Sequence, residues 1–333
     1  MNDYRIDIAM KVVVLGAGAL GSIIAGHLAR AGEDVTVIAR GDRARYLEKN
    51  GITVTGLAEF NTPCAVASDP SNLTEADVLI VAVKTHDTVA AIASVDHLKI
   101  PSVMSVQNGV VADAKLSKVF GEANTVGASA SFSGEVLADG AVRFTVNAGF
   151  YIGELPDGTS ERLLGIAAML ERSGIHSKAV SNIRTVQWSK FVTWVGGMPV
   201  AVLSRLATYK FCSDPDSALI CARLVKETAA LADAAGIPLQ DSPPMPIMEI
   251  ISSTEQEAVG KIGELGAMLE SEAPDHRWST LQDLERGRYL EVEETLGYVV
   301  AEARREGIPV PTVETCYLLI NGINRIQQSQ PRP

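Results

Sequence analysis

Little in this chain speaks for disulfide, metal or polyanion chemistry. Its four cysteines, Cys64, Cys212, Cys221 and Cys316, form no CxxC pair, and its five histidines supply neither HExxH nor another paired metal spacing. The expectation is a reduced protein of the cytoplasm with no metal site. Positive charge is also short: 29 Lys and Arg against 40 Asp and Glu leave a net charge of -11. That balance disfavours nucleic acid or an anionic membrane as a partner, although a local site of opposite sign can still take a phosphate. The uncharged run after Lys190 falls short of the about 20 apolar residues that a membrane span needs. The opening "MNDYRIDIAM" has two acids and no long apolar core, so no signal peptide is expected. No repeat of solenoid period and no low-complexity tract is visible.

What remains is an ordinary globular composition, 47% hydrophobic and 21% charged, over 333 residues, enough for two domains with separate cores. The first half alternates short β-branched runs with helical patterns. "KVVVLGAG", "EDVTVIAR", "ADVLIVAVK" and "SVMSVQNG" read as strands, and Ala19 to Arg30 as a helix of small residues. Such alternation predicts a parallel sheet with right-handed crossovers. Between Asn124 and Glu154 turn residues separate alternating runs, which predicts an antiparallel extension of the sheet. After about Ser181 strand signals nearly vanish. "SALICARLVKETAALADAAGI" and "LEVEETLGYVVAEARREGI" have helical periodicity, and each runs into Gly-Ile-Pro, a helix stop. The expected fold class is therefore α/β: a Rossmann-type dinucleotide-binding domain with an antiparallel extension over residues 10–182, and an all-α C-terminal substrate domain over 183–325.

"GAGALG", Gly16-Ala17-Gly18-Ala19-Leu20-Gly21, follows the first strand and opens a helix. In that context Gly16 permits the tight turn, Gly18 lets a pyrophosphate approach the backbone, and Gly21 lets helix and sheet close. The helix N-terminus offers N–H donors to the phosphates. The second strand then discriminates between cofactors. An NAD site usually ends that strand in an acid for the ribose 2′-hydroxyl, but here it ends in "IAR", with Arg43 and Arg45 close behind Arg40. A guanidinium suits a 2′-phosphate, so NADP(H) is the expected cofactor.

Six stretches in succession, "VVLGAGALGS", "VIARG", "VAVKTHD", "SVQNGV", "WSKFV" and "STLQDLERGRYLEVE", resemble the ketopantoate reductase (2-dehydropantoate 2-reductase) family from Met10 to about Leu319. The resemblance implies NADPH-dependent reduction of a 2-oxo acid, in pantothenate biosynthesis the conversion of ketopantoate to D-pantoate. It puts the family's catalytic lysine at Lys190, its substrate-binding glutamate at Glu291 and its serine at Ser279. Hydride addition builds charge on a carbonyl oxygen, and a nearby ammonium can stabilise it and donate a proton. Glu291 is suited to accept from a substrate hydroxyl or to pair with Lys190, and Ser279 to donate to the carboxylate. Twelve helical residues span about 18 Å, so both reach one small substrate only if the helix breaks, and Gly287 offers the break. Asn108, at a strand C-terminus, is expected to bridge cofactor and substrate, and Lys84 matches a family lysine near cofactor and substrate.

One departure bears on the substrate. If "KFVTWVGGMPVAVL" is helical, Lys190, Trp194 and Met198 share a face. The family pattern has asparagine four and eight residues after the lysine, whereas this chain has Trp194 and Met198 there. Both are expected in the substrate pocket, which would then have a bulky apolar floor. Two alternatives to ketopantoate reduction follow: a related reductase for a bulkier or less polar 2-oxo acid, or a catalytically silent NADP(H)-binding protein. Expected partners are a small 2-oxo acid and, as a candidate, a second copy of the chain in a homodimer.

Overall fold

The computed structural model describes residues 9–329; the stretch read for a signal peptide lies, up to residue 8, outside them. The chain divides into two compact units. One holds the described residues up to Gln107 together with Val111–Arg184, and the other holds Asn108–Val110 together with the described residues from Thr185 onwards.

The first unit is built on five parallel strands: β1 (Lys11–Leu15), β2 (Asp34–Ile38), β5 (Ala65–Ala67), β6 (Val78–Val81) and β7 (Val103–Ser105), in the order β5-β2-β1-β6-β7. Strands β1 and β6 are buried on both faces, as expected where helices cover both sides of a sheet. Along β1 the faces alternate. Val12 and Val14 enter one core with Ile23, Ile24 and Leu28 of α1 (Ala19–Arg30), while Val13 and Leu15 enter a second with Ile92 and Leu116. The strand order reverses beside β1, so the carboxyl ends of β1 and β6 flank the switch point where ligands of such sheets bind.

Helix α2 (Gly41–Asn50) follows β2, and α3 (Thr88–Ala93) and α4 (Ala112–Phe120) flank β7 in sequence. The expected antiparallel pair is present as β8 (Val126–Val136) and β9 (Val142–Glu154). It does not extend the first sheet. With β3 (Ile52–Gly56), β4 (Phe60–Thr62) and β10 (Ser177–Ala179), it makes a second, mixed sheet ordered β10-β9-β3-β4, with β8 on β9. Strand β3 pairs in parallel with β9 through Val54 and Val142. That long-range pairing leaves no local sequence pattern. Helix α5 (Glu161–Arg172) precedes β10.

The second unit is helical: α6 (Ile183–Ser204), α7 (Thr208–Ser213), α8 (Pro215–Ala234), α9 (Ile247–Ser252), α10 (Glu255–Glu272), α11 (Ser279–Glu285), α12 (Tyr298–Glu306) and α13 (Pro311–Ser329). Helix α6 is apolar on nearly every side and is correspondingly buried from Val195 to Val202. It remains helical through its two glycines and Pro199. A Cβ at Gly196 would stand 3.5 Å from Met245 Sδ and overlap Val225 of α8; at Gly197 it would overlap the Trp278 ring. The paired glycines thus admit two different neighbours. Among the described residues no helix is long and apolar enough to cross a membrane.

The "LEVEETLGYVV" segment departs from its helical reading. Helix α11 ends at Glu285, Gly287 turns at φ 66°, and residues 288–292 are irregular. A π-helical turn then runs over Glu293–Gly297 before α12. Gly287 takes the left-handed conformation that other residues adopt at a cost.

Candidate active site

At the carboxyl end of β1 the main chain forms the candidate cofactor loop of the α/β unit. Gly16 has φ 112°, and a Cβ there would sit 2.8 Å from the Val83 nitrogen, so both conformation and space require glycine. A Cβ on Gly21 would overlap the Gly16 carbonyl. At Gly18 the position is open, with Ala82 O at 4.0 Å. Gly18 is also the N-cap of α1, with no side chain capping it and no acid in the first turn. An uncapped helix start above an open glycine fits a pyrophosphate. Ala17, Ala19 and Leu20 complete the loop with small or apolar groups that bring no competing charge.

The three arginines after β2 have separate fates. Arg43 is committed to the loop itself. It donates to Ala17 O at 3.0 Å, Ser22 Oγ at 2.9 Å and Gly140 O at 2.6 Å, and burial lowers its pKa. Arg45 pairs with Asp42. Arg40, the N-cap of α2, is exposed. Lys84 follows β6 as the N-cap of a short 3-10 turn over Thr85–Asp87. Beyond β7, Gln107 donates to Val83 O and Thr88 Oγ1, each at 2.7 Å, tying that strand end to the loop after β6. This amide anchors the turn at Asn108, a role the sequence did not reveal.

Asn108 itself falls with the helical unit. Its neighbour Gly109 turns at φ 90°, and a Cβ there would lie 3.3 Å from the Glu294 carbonyl. Val110 packs on the same core as Leu290 and Val292, the residues on either side of Glu291. On α6, Trp188 and Phe191 flank Lys190 and meet the Tyr298 ring at 6.4 Å each. Ser279 opens α11 directly after Trp278, whose ring covers Gly197. The elements that carry Lys190, Glu291, Ser279 and Asn108 are therefore packed on one another within one unit.

Lys190 is half-buried, and burial lowers its ammonium pKa from 10.5 to about 8. Glu291 is buried at 5% exposure, and its carbonyl accepts from the Thr295 hydroxyl. Ser279 is exposed. Trp194 and Met198, expected on the pocket face, are 6% and 0% exposed within the hydrophobic core of this unit. Their part in a pocket is limited to the volume beneath its surface.

Two residues that sequence reading passed over stand nearer the open question. Thr193 Oγ1 and Trp278 Nε1 are buried with no hydrogen-bond partner. Thr193 and Gly197 lie three and seven residues after Lys190 and share its side of the helix. Buried donors left unpaired cost about 1–3 kcal/mol each, and both belong to the helical unit that carries Lys190. Among the described residues no cluster of His, Cys, Asp or Glu is placed to hold a metal ion.

Comparison with known proteins gives the family and the fold. The family model "Ketopantoate reductase PanE/ApbA" matches residues 12–157, and "Ketopantoate reductase PanE/ApbA C terminal" matches residues 182–324. The 2-dehydropantoate 2-reductase of Archaeoglobus fulgidus is 28% identical over 317 residues, covering 94% of this chain and 97% of that protein. The enzyme of the same name from Pyrococcus abyssi is 28% identical over 316 residues, with 94% and 97% coverage. The crystal structure of a PanE/ApbA family ketopantoate reductase from Ralstonia eutropha shares the fold with a TM-score of 0.82, at 24% identity and covering 96% of this chain and 100% of that one. With both halves matched in order, the chain belongs to the ketopantoate reductase family of oxidoreductases.

Proposed function

We propose that this chain reduces a 2-oxo acid to the 2-hydroxy acid with NADPH, ketopantoate to D-pantoate being the first candidate reaction. The observation that carries the reading is Lys190: a half-buried ammonium group whose pKa burial brings to about 8, in the same unit as the buried Glu291. A group of that pKa is protonated for most of its population at neutral pH and still gives up its proton readily.

A dihydronicotinamide dinucleotide held by the Gly16–Gly21 loop would supply the hydride. Lys190 Nζ stabilises the charge that grows on the substrate's carbonyl oxygen and transfers its proton there. Being partly open to solvent, it regains a proton after turnover. Glu291 accepts from a substrate hydroxyl, Ser279 donates to the carboxylate, and Asn108 orients the carbonyl. Gly16 to Gly21 hold the pyrophosphate, Lys84 stands near the cofactor, and Arg40 binds the 2′-phosphate and sets the preference for NADPH.

A second reading, reduction of a 2-oxo acid with an aromatic or aliphatic tail, is favoured by one observation. Trp194 and Met198 occupy the places where the family pattern has asparagines, so neither amide is there to hydrogen-bond a polar substrate tail. NADPH oxidation across a panel of 2-oxo acids tests both readings. Higher kcat/KM for ketopantoate supports the first, and higher kcat/KM for the bulky analogues supports the second. No oxidation with any member rejects both.

A further inference from the structure

Glu291 stands on irregular backbone, where no helix or sheet ladder fixes its direction. Beside the backbone bond from Val292 N–H to the Leu290 carbonyl, one stripe of α13 grips this segment from outside. Asn324, 2% exposed, accepts from the Leu290 N–H at 3.0 Å through Oδ1 and donates to the Leu290 carbonyl at 3.5 Å through Nδ2. It thereby pairs with both main-chain groups of the residue before Glu291. Further along, Gln327 Nε2 donates to the Arg288 carbonyl at 3.0 Å. On the other side of Glu291, the Tyr317 hydroxyl donates to Glu293 Oε2 at 2.8 Å, and Asn321 Nδ2 donates to Glu293 Oε1 at 2.6 Å. Residues 317, 321 and 324 follow the i, i+4, i+7 spacing of a single helix face. The segment from Arg288 to Glu293 is thus held at three separate places by one helix.

We propose that Asn324 is the positioning residue for Glu291, with Tyr317 and Asn321 fixing the far end of the same segment through Glu293. Asn324 touches no reacting atom. It sets where the Glu291 carboxylate stands by holding the peptide group that precedes it. The proposal rests on the reading of Glu291 as the group that binds the substrate hydroxyl. A buried amide that paired with irregular backbone only to avoid stranded polar groups would stabilise the fold without any coupling to Glu291. The two roles differ in that coupling.

A double-mutant cycle measures it, with NADPH and the best 2-oxo acid of the panel as reactants. Asn324→Leu is expected to raise KM for the oxo acid roughly 10–100-fold, the scale of a misplaced binding group, with a smaller change in kcat. NADPH binding should stay within about twofold, since no cofactor-binding group is disturbed. In a Glu291→Gln background, whose own KM is raised, the same substitution should add less than about twofold, because the group it positions is already impaired. Equal losses in both backgrounds overturn the proposal and leave Asn324 a structural residue. Glu291→Gln with unchanged kinetics rejects the role of Glu291, and the proposal falls with it. If Asn324→Leu does not fold, Tyr317→Phe/Asn321→Ala runs the same cycle from the Glu293 end and is judged by the same coupling.

Discussion

Six consecutive residues, Gly16 to Gly21, form a candidate phosphate cradle in the α/β unit, and its shape depends on side chains being absent at Gly16, Gly18 and Gly21. In the helical unit the candidate groups are side chains scattered from Lys190 to Glu291, on α6, on α11 and on the irregular backbone that follows it. The difference shows in what substitution should do. A main-chain site is damaged by adding atoms, as at Gly16, where a Cβ would stand 2.8 Å from the Val83 nitrogen. A side-chain site is damaged by removing them.

The largest expected effect tests the second half of that contrast. Lys190→Ala should lower kcat by roughly 10²–10⁴, the range for loss of a positioned general acid, while NADPH affinity stays nearly constant. The unmodified enzyme should lose reduction rate as pH rises through about 8, because burial has brought the ammonium pKa there and the acid form is the active one. Single-turnover NADPH oxidation between pH 6 and about 9.5 measures this. Near-normal turnover by the mutant would remove Lys190 from its role and leave the helical unit without its principal group.

Next in size is a test of whether α6 is core or pocket at its middle. Met198 is fully buried in the hydrophobic core. Met198→Asn should cost about 2–5 kcal/mol of stability, the range for truncating such a side chain, with the unpaired amide adding to the loss. Urea unfolding reads it directly. An unchanged midpoint would mean the side chain has freedom to turn away from the core, and would strengthen the case for its contact with substrate.

These positions also show why the two halves were unequally legible. The glycine loop could be read because its requirements are local: strand, turn, helix, with spacing fixed by backbone geometry. On α6, periodicity correctly placed Trp194 and Met198 toward the Lys190 side, at about 40° and 80° from it. It said nothing of what covers that side. Gly197 lies about 20° from Lys190 on the same wheel, and its neighbour is Trp278, far away in sequence. The stranded donors of Thr193 and Trp278, and the hold of Asn324 on Leu290, arise only when distant segments meet. The second sheet escaped notice for the same reason, since β3 pairs with β9 across most of the unit. Lys190, Ser279 and Glu291 were singled out by family resemblance, not by any local rule.

Within the α/β unit, two neighbouring arginines sharpen the comparison. Arg40→Ala should weaken NADPH binding by about 1.5–3 kcal/mol, the value of a hydrogen bond to a charged group, and leave NADH binding unchanged. Arg43→Ala should weaken both cofactors alike and lower Tm, because Arg43 braces Ala17, Ser22 and Gly140 of the fold itself. Fluorescence titration with both dinucleotides separates the two. Equal NADH and NADPH affinity in the unmodified protein counts directly against the role given to Arg40.

The smallest effect concerns a buried base that has no assigned chemistry. His27, on α1, is 4% exposed, and its Nδ1 donates to the Ser173 carbonyl at 2.8 Å. Nε2 has no partner, and the rings of Phe60 and Phe144 stand edge-on at 5.1 and 5.4 Å. Burial lowers its pKa, and nearby Arg30 lowers it further against the opposing effect of the Ser173 bond. The same desolvation acts on Lys190, but in His27 the outcome is a neutral ring that simply packs. A base whose folded pKa lies below its unfolded value keeps its full contribution to stability above about pH 6.5. As pH falls further, the unfolded chain takes up a proton that the folded chain refuses, and stability declines by up to about 1.4 kcal/mol per pH unit from this residue. His27→Leu removes the titration along with the Ser173 bond. It should therefore be less stable than the parent at pH 7.5, with the gap narrowing at about pH 5.5 as the parent loses its advantage. Urea midpoints at the two pH values decide it: parallel declines in parent and variant would show that His27 accepts its proton in the folded state as easily as in the unfolded one.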